Sequence, residues 1–371
     1  MLPAFNVAPK HFSTVGKAEN FLPLGLHALD ASKIVAGLHA AFTALAFRAN
    51  TNRIRSKPMG IDDQKPEVTA AAQTSASNLT AIVAGLRHSR EVTHKIRYQG
   101  HVRELPSREA LERIRDGLFA AMFPSHYGCP DLTDETIDYF VGLTLTRTLA
   151  ALTEQVRRGL LFLAPENKSR FEEAECAACD IVRDFAAQLP EIRTALVSDL
   201  KAAYQGDPAA TSLAEVLLCY PGMRAVIHHR LAHTLYKLGA PLVPRLLASI
   251  SQTETAIDIH PEAQIGPRFF IDHGIGVVIG QTAVIGENVR LYQHVTLGAK
   301  SFSDDGAGGL VKGEPRHPII EDNVVIYAGA TILGRVTVGK DSVIGGNVWL
   351  TRSVPPSSFV SQAQNRLADG E

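Results

Sequence analysis

The sequence predicts an α+β protein in which an all-α N-terminal helical domain precedes a C-terminal parallel β-helix. Aliphatic residues recur at every sixth position over the last third of the chain, the count slips in only two places, and apolar residues at helical spacing precede the repeats. A six-residue period fits neither a helix nor a flat strand. It fits a triangular prism with one short strand on each face and about 18 residues in each coil. A β-sandwich would instead show turn signals at spacings of roughly 8 to 12 residues.

Residues 1–100 are predicted to form an N-terminal extension that is partly disordered or helical. Their longest apolar run, 34–47, is too short to cross a bilayer and too far from the start for a standard secretory signal. Four cysteines in 371 residues argue for a reducing compartment, so the expected location is cytoplasmic. A formal net charge of −1 without a basic block predicts that neither nucleic acid nor a membrane is a partner.

Residues 101–250 are predicted to form the α-helical domain. Ser107 can cap a helix, Thr133 can begin the next, and Pro190 is predicted to divide a further pair. The apolar face of the first helix consists of Leu111, Ile114, Leu118 and Met122.

Two polar patterns in this domain resemble parts of functional sites. His229 and His233 lie four residues apart on a predicted helix, but a pair without a third ligand is a weak metal signal, so no metal is expected. Cys176 and Cys179 form a lone CxxC and are interpreted as small buried side chains.

Residues 251–360 are predicted to form the β-helix, and residues 361–371 a C-terminal tail. Glycine often follows the aliphatic residue, because a tight corner favours a residue without Cβ. An aliphatic residue opens thirteen hexads, at Ile259, Ile265, Ile271, Ile279, Ile285, Leu291, Leu297, Ile320, Ile326, Ile332, Val338, Ile344 and Leu350.

The first slip places eight residues between Ile271 and Ile279, so two extra residues bulge out around Asp272 and His273. Regular packing gives no reason to place Asp-His there, and a bulge re-aims side chains. Histidine titrates near neutrality and can take a proton from a hydroxyl and return it to a leaving group. Asp258, one coil earlier, is expected to orient the imidazole.

The second slip is a polar, Gly-rich excursion between Leu297 and Ile320 that ends in Arg316 and His317. Long excursions from a regular solenoid are usually functional. Arginine can bind a carboxylate bidentately and His317 can add a hydrogen bond. The alternative is a flexible surface loop with a solvated arginine.

At these residues the sequence resembles a known family. The segments DIHPEAQIG, FFIDHGIGVVIG, LYQHVTLGAKSF and RHPIIEDNVVIYAGATILG look like serine O-acetyltransferase of the long bacterial type, within the hexapeptide-repeat acyltransferase superfamily. The resemblance extends from about Val102 to Val360. It implies a left-handed β-helix and transfer of acetyl from acetyl-CoA to L-serine, giving O-acetylserine for cysteine biosynthesis.

The resemblance also implies residue roles. His273 matches the general base and Asp258 the carboxylate that orients it. Asp207 and Asp272 match acids that receive the substrate amino group, and Arg316 with His317 matches the pair that holds its carboxylate. The enzymes of this family are homotrimers or dimers of trimers, so each site would draw on two chains. Acetyl-CoA would lie between neighbouring prisms, against Gly298, Ala299, Ala328, Gly329 and Gly346.

Some positions depart from the family pattern. Gln281 stands where the family usually has Glu, Ile275 replaces a Thr, and His294 replaces a Gly or Ser on the same prism edge as His273. These changes raise another hydroxy amino acid, such as homoserine, as an alternative acceptor. Many members bind the next enzyme of cysteine synthesis through a C-terminal isoleucine, but this chain ends in Asp-Gly-Glu, so the cysteine synthase complex is not expected.

Two further function classes stay open at this point. A metalloenzyme of the γ-carbonic-anhydrase kind would need His273, His294 and His317 to converge between subunits, and it would leave the RHP and DIHP motifs unexplained. A catalytically silent scaffold subunit is suggested by Gln281 and the long N-terminal extension.

Overall fold

A computed structural model of the chain describes residues 70–89, 105–163, 170–301, 306 and 308–362. Two compact units are formed, Met1–Gly85 and Leu86–Glu371. The predictions for the rest of the N-terminal extension, and for the tail beyond residue 362, lie outside the described residues. Within the described part, no helix is long and apolar enough to span a membrane.

The helical region contains eight described α-helices, and the helix that was predicted to begin at Thr133 begins at Ile137, whose N–H donates to Thr133 O at 3.0 Å. Ser107 caps the second of them, its Oγ accepting from Ala110 N–H at 3.3 Å, as the sequence predicted. The helices are α1 Ala70–His88, α2 Arg108–Met122, α3 Pro124–Tyr127, α4 Ile137–Leu163, α5 Arg170–Gly206, α6 Leu213–Cys219, α7 Pro221–Lys237 and α8 Val243–Thr255.

Parallel strands follow the helices, one for each predicted hexad and one beyond them. Every one of the thirteen aliphatic positions lies in a strand with its side chain turned inward; twelve are buried and Ile265 is half-buried. The strands are β1 Asp258–Ile259, β2 Gln264–Ile265, β3 Phe270–Ile271, β4 Val278–Ile279, β5 Val284–Ile285, β6 Arg290–Leu291, β7 Thr296–Gly298, β8 Ile319–Ile320, β9 Val325–Ile326, β10 Thr331–Leu333, β11 Thr337–Val338, β12 Val343–Ile344, β13 Trp349–Leu350 and β14 Phe359–Val360.

These strands form three parallel sheets, because each strand pairs with the strand one coil away. Face A contains β1, β4, β7, β10 and β13; face B contains β2, β5, β8 and β11; face C contains β3, β6, β9, β12 and β14. The chain passes from A to B to C in each coil. We therefore call the corners the A–B, B–C and C–A edges.

The glycines after the aliphatic residues serve the close approach of successive coils. A Cβ on Gly266 would lie 2.5 Å from Gly286 O, and one on Gly339 would lie 2.4 Å from Pro356 N. Left-handed corner conformations fall mainly on other residues, including Asn288 and Asn323 at the B–C edge. Coil spacing, rather than positive φ, is therefore what favours glycine at this hexad position.

The helical region differs from the sequence-based expectations at Pro190 and at its cysteines. Pro190 does not divide two helices but lies inside α5, where buried Leu189 and Ile192 beside it pack into the core and offset the lost backbone hydrogen bond. The interpretation of Cys176 and Cys179 as buried was also wrong, since both are exposed on α5. The predicted domain boundary at residue 250 stays a prediction; the last helix ends at Thr255 and the first strand begins at Asp258.

Candidate active site

A buried ion pair joins the helices to the first coil of the β-helix. Arg230 of α7 donates to both carboxylate oxygens of Asp199 on α5, at 2.5 and 2.8 Å, and Asp199 is fully buried. Asp199 also accepts from Phe269 N–H at 2.9 Å, while Arg230 donates to Gly266 O at 2.9 Å. Burial raises the pKa of Asp199 above its ordinary value despite Arg230. This pair holds the backbone that leads into β3 and the bulge after it.

The predicted bulge lies at the C–A edge and turns His273 outward. His273 has φ +58°, a left-handed conformation, and its side chain is 72% exposed. Asp272 Oδ1 lies 3.9 Å from its Nδ1, which is an ion-pair distance rather than a hydrogen bond. Gly222 in the first turn of α7 packs so closely on the bulge that a Cβ there would lie 2.0 Å from Ile271 O. The helical domain therefore supports the bulge from behind.

Asp207 belongs to the same group as Asp272 and His273. Its carboxylate accepts from Tyr220 O–H at 2.5 Å and from Ala209 N–H at 2.8 Å. The Tyr220 hydrogen bond is the main cause that holds the pKa of Asp207 below its usual range. Burial, and to a lesser degree Asp207, raises the pKa of Asp272. Two acids and a histidine thus face one solvent-accessible region. Tyr220 was not predicted, although its place next to Pro221 in the sequence puts it at the helix start.

Asp258 and His294 flank this group on neighbouring coils. Asp258 is half-buried at the start of β1, in register with Val278, and its carboxylate makes no hydrogen bond to His273 within the described residues. His294 lies on the C–A edge, as counting predicted, and its ring covers Gly276, where a Cβ would be 2.3 Å from His294 Nδ1.

Arg316 and His317 meet Thr282 at the A–B edge. Thr282 Oγ1 accepts from Arg316 N–H at 2.9 Å and from His317 N–H at 3.1 Å. Thr282 N–H donates to His317 Nδ1 at 3.1 Å, which leaves the ring proton on Nε2. Burial, with Arg316 and Arg335 nearby, lowers the pKa of His317 to about 4. A neutral ring with an Nε2–H donor suits a carboxylate ligand.

A second layer at this edge was missed from the sequence. Arg316 NH2 donates to Gln281 Oε1 at 2.7 Å, and Gln281 Nε2 donates to Glu262 Oε2 at 2.5 Å. Tyr236 of α7 donates to the same carboxylate oxygen at 2.6 Å. Glu262 follows the DIHP motif and lies two residues before β2. Its partner Tyr236 lies on a helix, 26 residues earlier in the chain, so no local sequence pattern reveals this contact.

The five residues expected to bind acetyl-CoA divide between two edges. Gly298 ends β7 and Ala299 follows it at the A–B edge. Ala328, Gly329 and Gly346 lie in successive turns of the C–A edge, where Asn347 N–H donates to Ala328 O at 2.9 Å. A Cβ on Gly346 would meet little besides Ala328 O at 3.3 Å, so this edge is open above the backbone.

The structure therefore assembles two half-sites on opposite edges of face A. Asp207, Asp272 and His273 lie at the C–A edge, and Arg316 and His317 lie at the A–B edge. Between these edges, Gly276 to Gly280 spans four extended residues, roughly 13 Å at about 3.3 Å each. A small amino acid cannot bridge that width, so one copy of the chain does not bring all the predicted residues together.

Across the described ranges, no group of three or more His, Cys, Asp or Glu side chains is arranged to hold a metal ion. His229 and His233 have ring centroids 5.5 Å apart, and desolvation holds the pKa of buried His229 well below its usual value.

Two family models match the chain. The model described as "Serine acetyltransferase, N-terminal" matches residues 155–227, and the model described as "Bacterial transferase hexapeptide (six repeats)" matches residues 317–352. The first covers the helices α4 to α7 and the second the later coils.

Named relatives agree with both models. A plasmid serine acetyltransferase of Synechococcus elongatus is 58% identical over 266 residues, which cover 71% of this chain and 83% of that protein. A serine acetyltransferase of Mycobacterium tuberculosis is 48% identical over 167 residues, 45% of this chain and 69% of that protein.

Solved structures with the same fold give a consistent picture. Serine acetyltransferase 1 of Entamoeba histolytica, in complex with L-cysteine, is 34% identical with a TM-score of 0.58, covering 77% of this chain and 99% of that chain. Isoform 3 from the same organism, also with cysteine, has 34% identity and a TM-score of 0.57, covering 77% and 93%.

Proposed function

The chain belongs to the serine acetyltransferase family and is an acyltransferase, and on that premise we propose how its residues transfer acetyl from acetyl-CoA to L-serine. The observation that carries the proposal is the division of polar residues between the two edges of face A. Each half-site supplies part of what serine requires: acids and a base at the C–A edge, cationic and N–H donors at the A–B edge.

The complete site forms where the C–A edge of one copy meets the A–B edge of another. The coil is expected to be left-handed. In a homotrimer with threefold symmetry, the C–A edge of each copy lies beside the A–B edge of a neighbouring copy, so three such sites form. Exposed apolar side chains on and beside face A, Ile275, Tyr327 and Trp349, support contact with another copy.

His273 acts as the general base. Its imidazole takes the proton from the serine hydroxyl as the oxygen attacks the thioester carbonyl, and it returns the proton to the departing thiolate of CoA. Asp258 is proposed to orient the ring, supported by its place on the strand beside β4; the bond would form as substrate tightens the site. Exposure of the ring supports this role, because the base must reach a substrate held between copies.

Serine is held at both ends. Its ammonium group lies against Asp207 and Asp272, whose carboxylates face the same region as His273. Its carboxylate accepts from Arg316 and from His317 Nε2–H of the facing copy. Serine is too short to reach across face A, so in this proposal the binding of serine requires the second copy.

Acetyl-CoA is proposed to lie along the groove between the same two edges. Gly298 and Ala299 would line one wall, and Ala328, Gly329 and Gly346 the other. Small residues support this placement because the extended thioester arm can approach the backbone and use its N–H groups. No covalent enzyme intermediate is needed.

The proposal is tested by following release of the CoA thiol with a panel of hydroxy amino acids. We expect activity with L-serine above that with homoserine, and a loss of at least about 100-fold in kcat for His273→Ala, since a general base contributes on that order. His126→Ala, at an exposed histidine of α3, is the matched control and should retain activity. Equal rates for His273→Ala and the control would reject the assigned base.

Elemental analysis of the same protein addresses the metalloenzyme alternative. A stoichiometric zinc or cobalt content lost in His273→Ala would favour a shared metal over a general base. Thiol release that persists after treatment with a chelator supports direct transfer.

A further inference from the structure

A hydrogen-bonded network runs from the last turn of α7 to the guanidinium of Arg316. We call Tyr236, Glu262, Gln281 and Arg316 the A–B edge network. Tyr236 and Gln281 both donate to Glu262 Oε2, at 2.6 and 2.5 Å, and Arg316 NH2 donates to Gln281 Oε1 at 2.7 Å. The network thus links a helix of the helical domain to a residue at the end of the long excursion between β7 and β8.

The order of donors and acceptors in the network permits one orientation of the Gln281 amide. Its N–H must face the Glu262 carboxylate, which only accepts, and its oxygen must face the Arg316 guanidinium, which only donates. If the amide were reversed, its oxygen would face the Glu262 carboxylate and its N–H groups would face the Arg316 guanidinium. The amide is therefore locked between a negative and a positive group.

The protonation states of Glu262 and Tyr236, the two members farthest from Arg316, support this order of donors and acceptors. Partial burial would raise the pKa of Glu262, but hydrogen bonds from Tyr236 and Gln281, with His260 and Arg316 nearby, bring it below its usual value. The hydrogen bond between Tyr236 and Glu262 raises the pKa of Tyr236 to about 12. Glu262 stays an acceptor and Tyr236 stays a donor at neutral pH.

Among the described residues, the hydrogen bonds of Arg316 use only part of its guanidinium. An arginine side chain carries five N–H donors. One of them donates to Gln281 Oε1 and another to Glu314 O at 3.2 Å. The remaining donors can meet a planar carboxylate, and the direction in which they point is set by the two bonds already made.

We propose that Tyr236, Glu262 and Gln281 are positioning residues that fix the Arg316 guanidinium in the direction from which it binds the carboxylate of the acceptor amino acid. The inference rests on the proposed function, in which Arg316 holds that carboxylate. None of the three touches the reacting atoms, so their loss should raise the KM for L-serine while kcat and the KM for acetyl-CoA stay near those of the wild type.

Exchanging the two groups at the centre of the network gives a sharp test. Gln281→Glu sets two carboxylates against each other with no proton between them, and we expect a serine KM about tenfold higher. In the double variant Glu262→Gln with Gln281→Glu, the amide nitrogen at position 262 replaces the oxygen that both partners contact. One of its N–H groups donates to the carboxylate at position 281, the other donates to the Tyr236 phenol oxygen, and Arg316 donates to the same carboxylate. Each contact again joins a donor to an acceptor, so the serine KM should return to within about threefold of the wild type.

A milder variant and a matched control accompany the exchange. Tyr236→Phe removes one hydroxyl at the far end, and we expect a serine KM about threefold higher. Tyr139→Phe, at a phenol that is 82% exposed on α4, should leave both KM values unchanged. If Gln281→Glu fails to fold, the Tyr236→Phe result alone decides.

Arg316→Ala separates failure of this inference from failure of the proposed function. An unchanged serine KM in Arg316→Ala would remove the carboxylate assignment itself. A raised serine KM in Arg316→Ala, with no change in Gln281→Glu or Tyr236→Phe, would overturn only the positioning role. A double variant as impaired as Gln281→Glu would also overturn it, as would equal rises in the KM of serine and of acetyl-CoA.

Discussion

At the scale of single residues, burial decides the charge of several histidines. His228 is 1% exposed, its Nδ1 lies 2.8 Å from Arg224 O, and its Nε2 has no hydrogen-bond partner in the described structure. Its ring packs edge-on against Phe119, with centroids 5.2 Å apart. Burial lowers the pKa of His228 to about 4, with Arg115, Arg224 and Glu254 nearby. The ring is therefore neutral in the folded state and stays so to well below neutral pH.

Because His228 is buried in its neutral form, we expect the free energy of unfolding to fall as the pH is lowered. Between pH about 6.5 and about 4 the unfolded chain binds a proton at His228 that the folded chain does not, so the free energy of unfolding rises with pH across that window. At pH 5 the loss relative to pH 7 from this residue is about 2 kcal/mol. Urea unfolding at both pH values should show a smaller loss for His228→Gln than for the wild type. The same loss in both proteins would contradict the assignment.

Candidate site residues could be proposed from the sequence where an exception interrupted the repeat, and their roles stay predictions. The slip in the hexad count identified Asp272 and His273, and the excursion identified Arg316 and His317, because a regular coil has no other use for them. Tyr220, Tyr236 and Glu262 could not be found in this way. Their roles depend on contacts between the helices and the edges, and these contacts follow from packing rather than from local pattern.

At the scale of secondary-structure elements, α5 and α7 support the coil that carries His273, the proposed base. Asp199 and Arg230 meet in a buried bidentate pair and bind the backbone on both sides of Arg268. Phe269, whose N–H binds Asp199, is four residues before His273. The bulge at the C–A edge is thus fixed by helices as well as by the neighbouring coil.

Removal of one partner of this pair should be costly. Asp199→Ala leaves the Arg230 charge buried and unpaired, and we expect the free energy of unfolding to fall by about 3–5 kcal/mol. The double variant Asp199→Leu with Arg230→Met leaves only backbone groups without partners, so its loss should be smaller than that of the single variant. Urea unfolding at neutral pH measures both. A single variant within about 1 kcal/mol of the wild type would show that the pair does not hold the coil.

The elements show where sequence patterns succeed and where they fail. Thirteen of the fourteen described strands coincide with predicted hexads, because each coil requires an aliphatic residue that points inward. The final strand Phe359–Val360 lies beyond the last predicted hexad. Pro190 was predicted to end a helix but lies inside one. The free-energy cost of a proline in a helix interior can be outweighed by the packing of the side chains around it.

At the scale of the whole molecule, the fold divides the proposed active site so that one copy carries only part of it at each edge. Face A is about four extended residues wide, and the proposed groups for the two ends of serine lie on its opposite edges. The residues proposed for acetyl-CoA are divided in the same way. Sequence motifs could identify all these residues. Their division between edges becomes visible only when the strands are assigned to faces.

Complementation between two inactive variants tests this central claim most directly. His273→Ala damages the C–A edge and Arg316→Ala damages the A–B edge, each leaving the other edge intact. When equal amounts of the two chains are denatured and refolded together, half of the C–A edges and half of the A–B edges are intact. Random assembly then gives intact shared sites in about a quarter of positions.

The measurement is the rate of serine-dependent thiol release by the co-refolded mixture, beside each variant refolded alone. The shared site predicts about a quarter of the wild-type rate from two proteins that are each nearly inactive. A mixture no more active than its separate components would contradict it, because sites contained within single chains cannot be repaired by a neighbour.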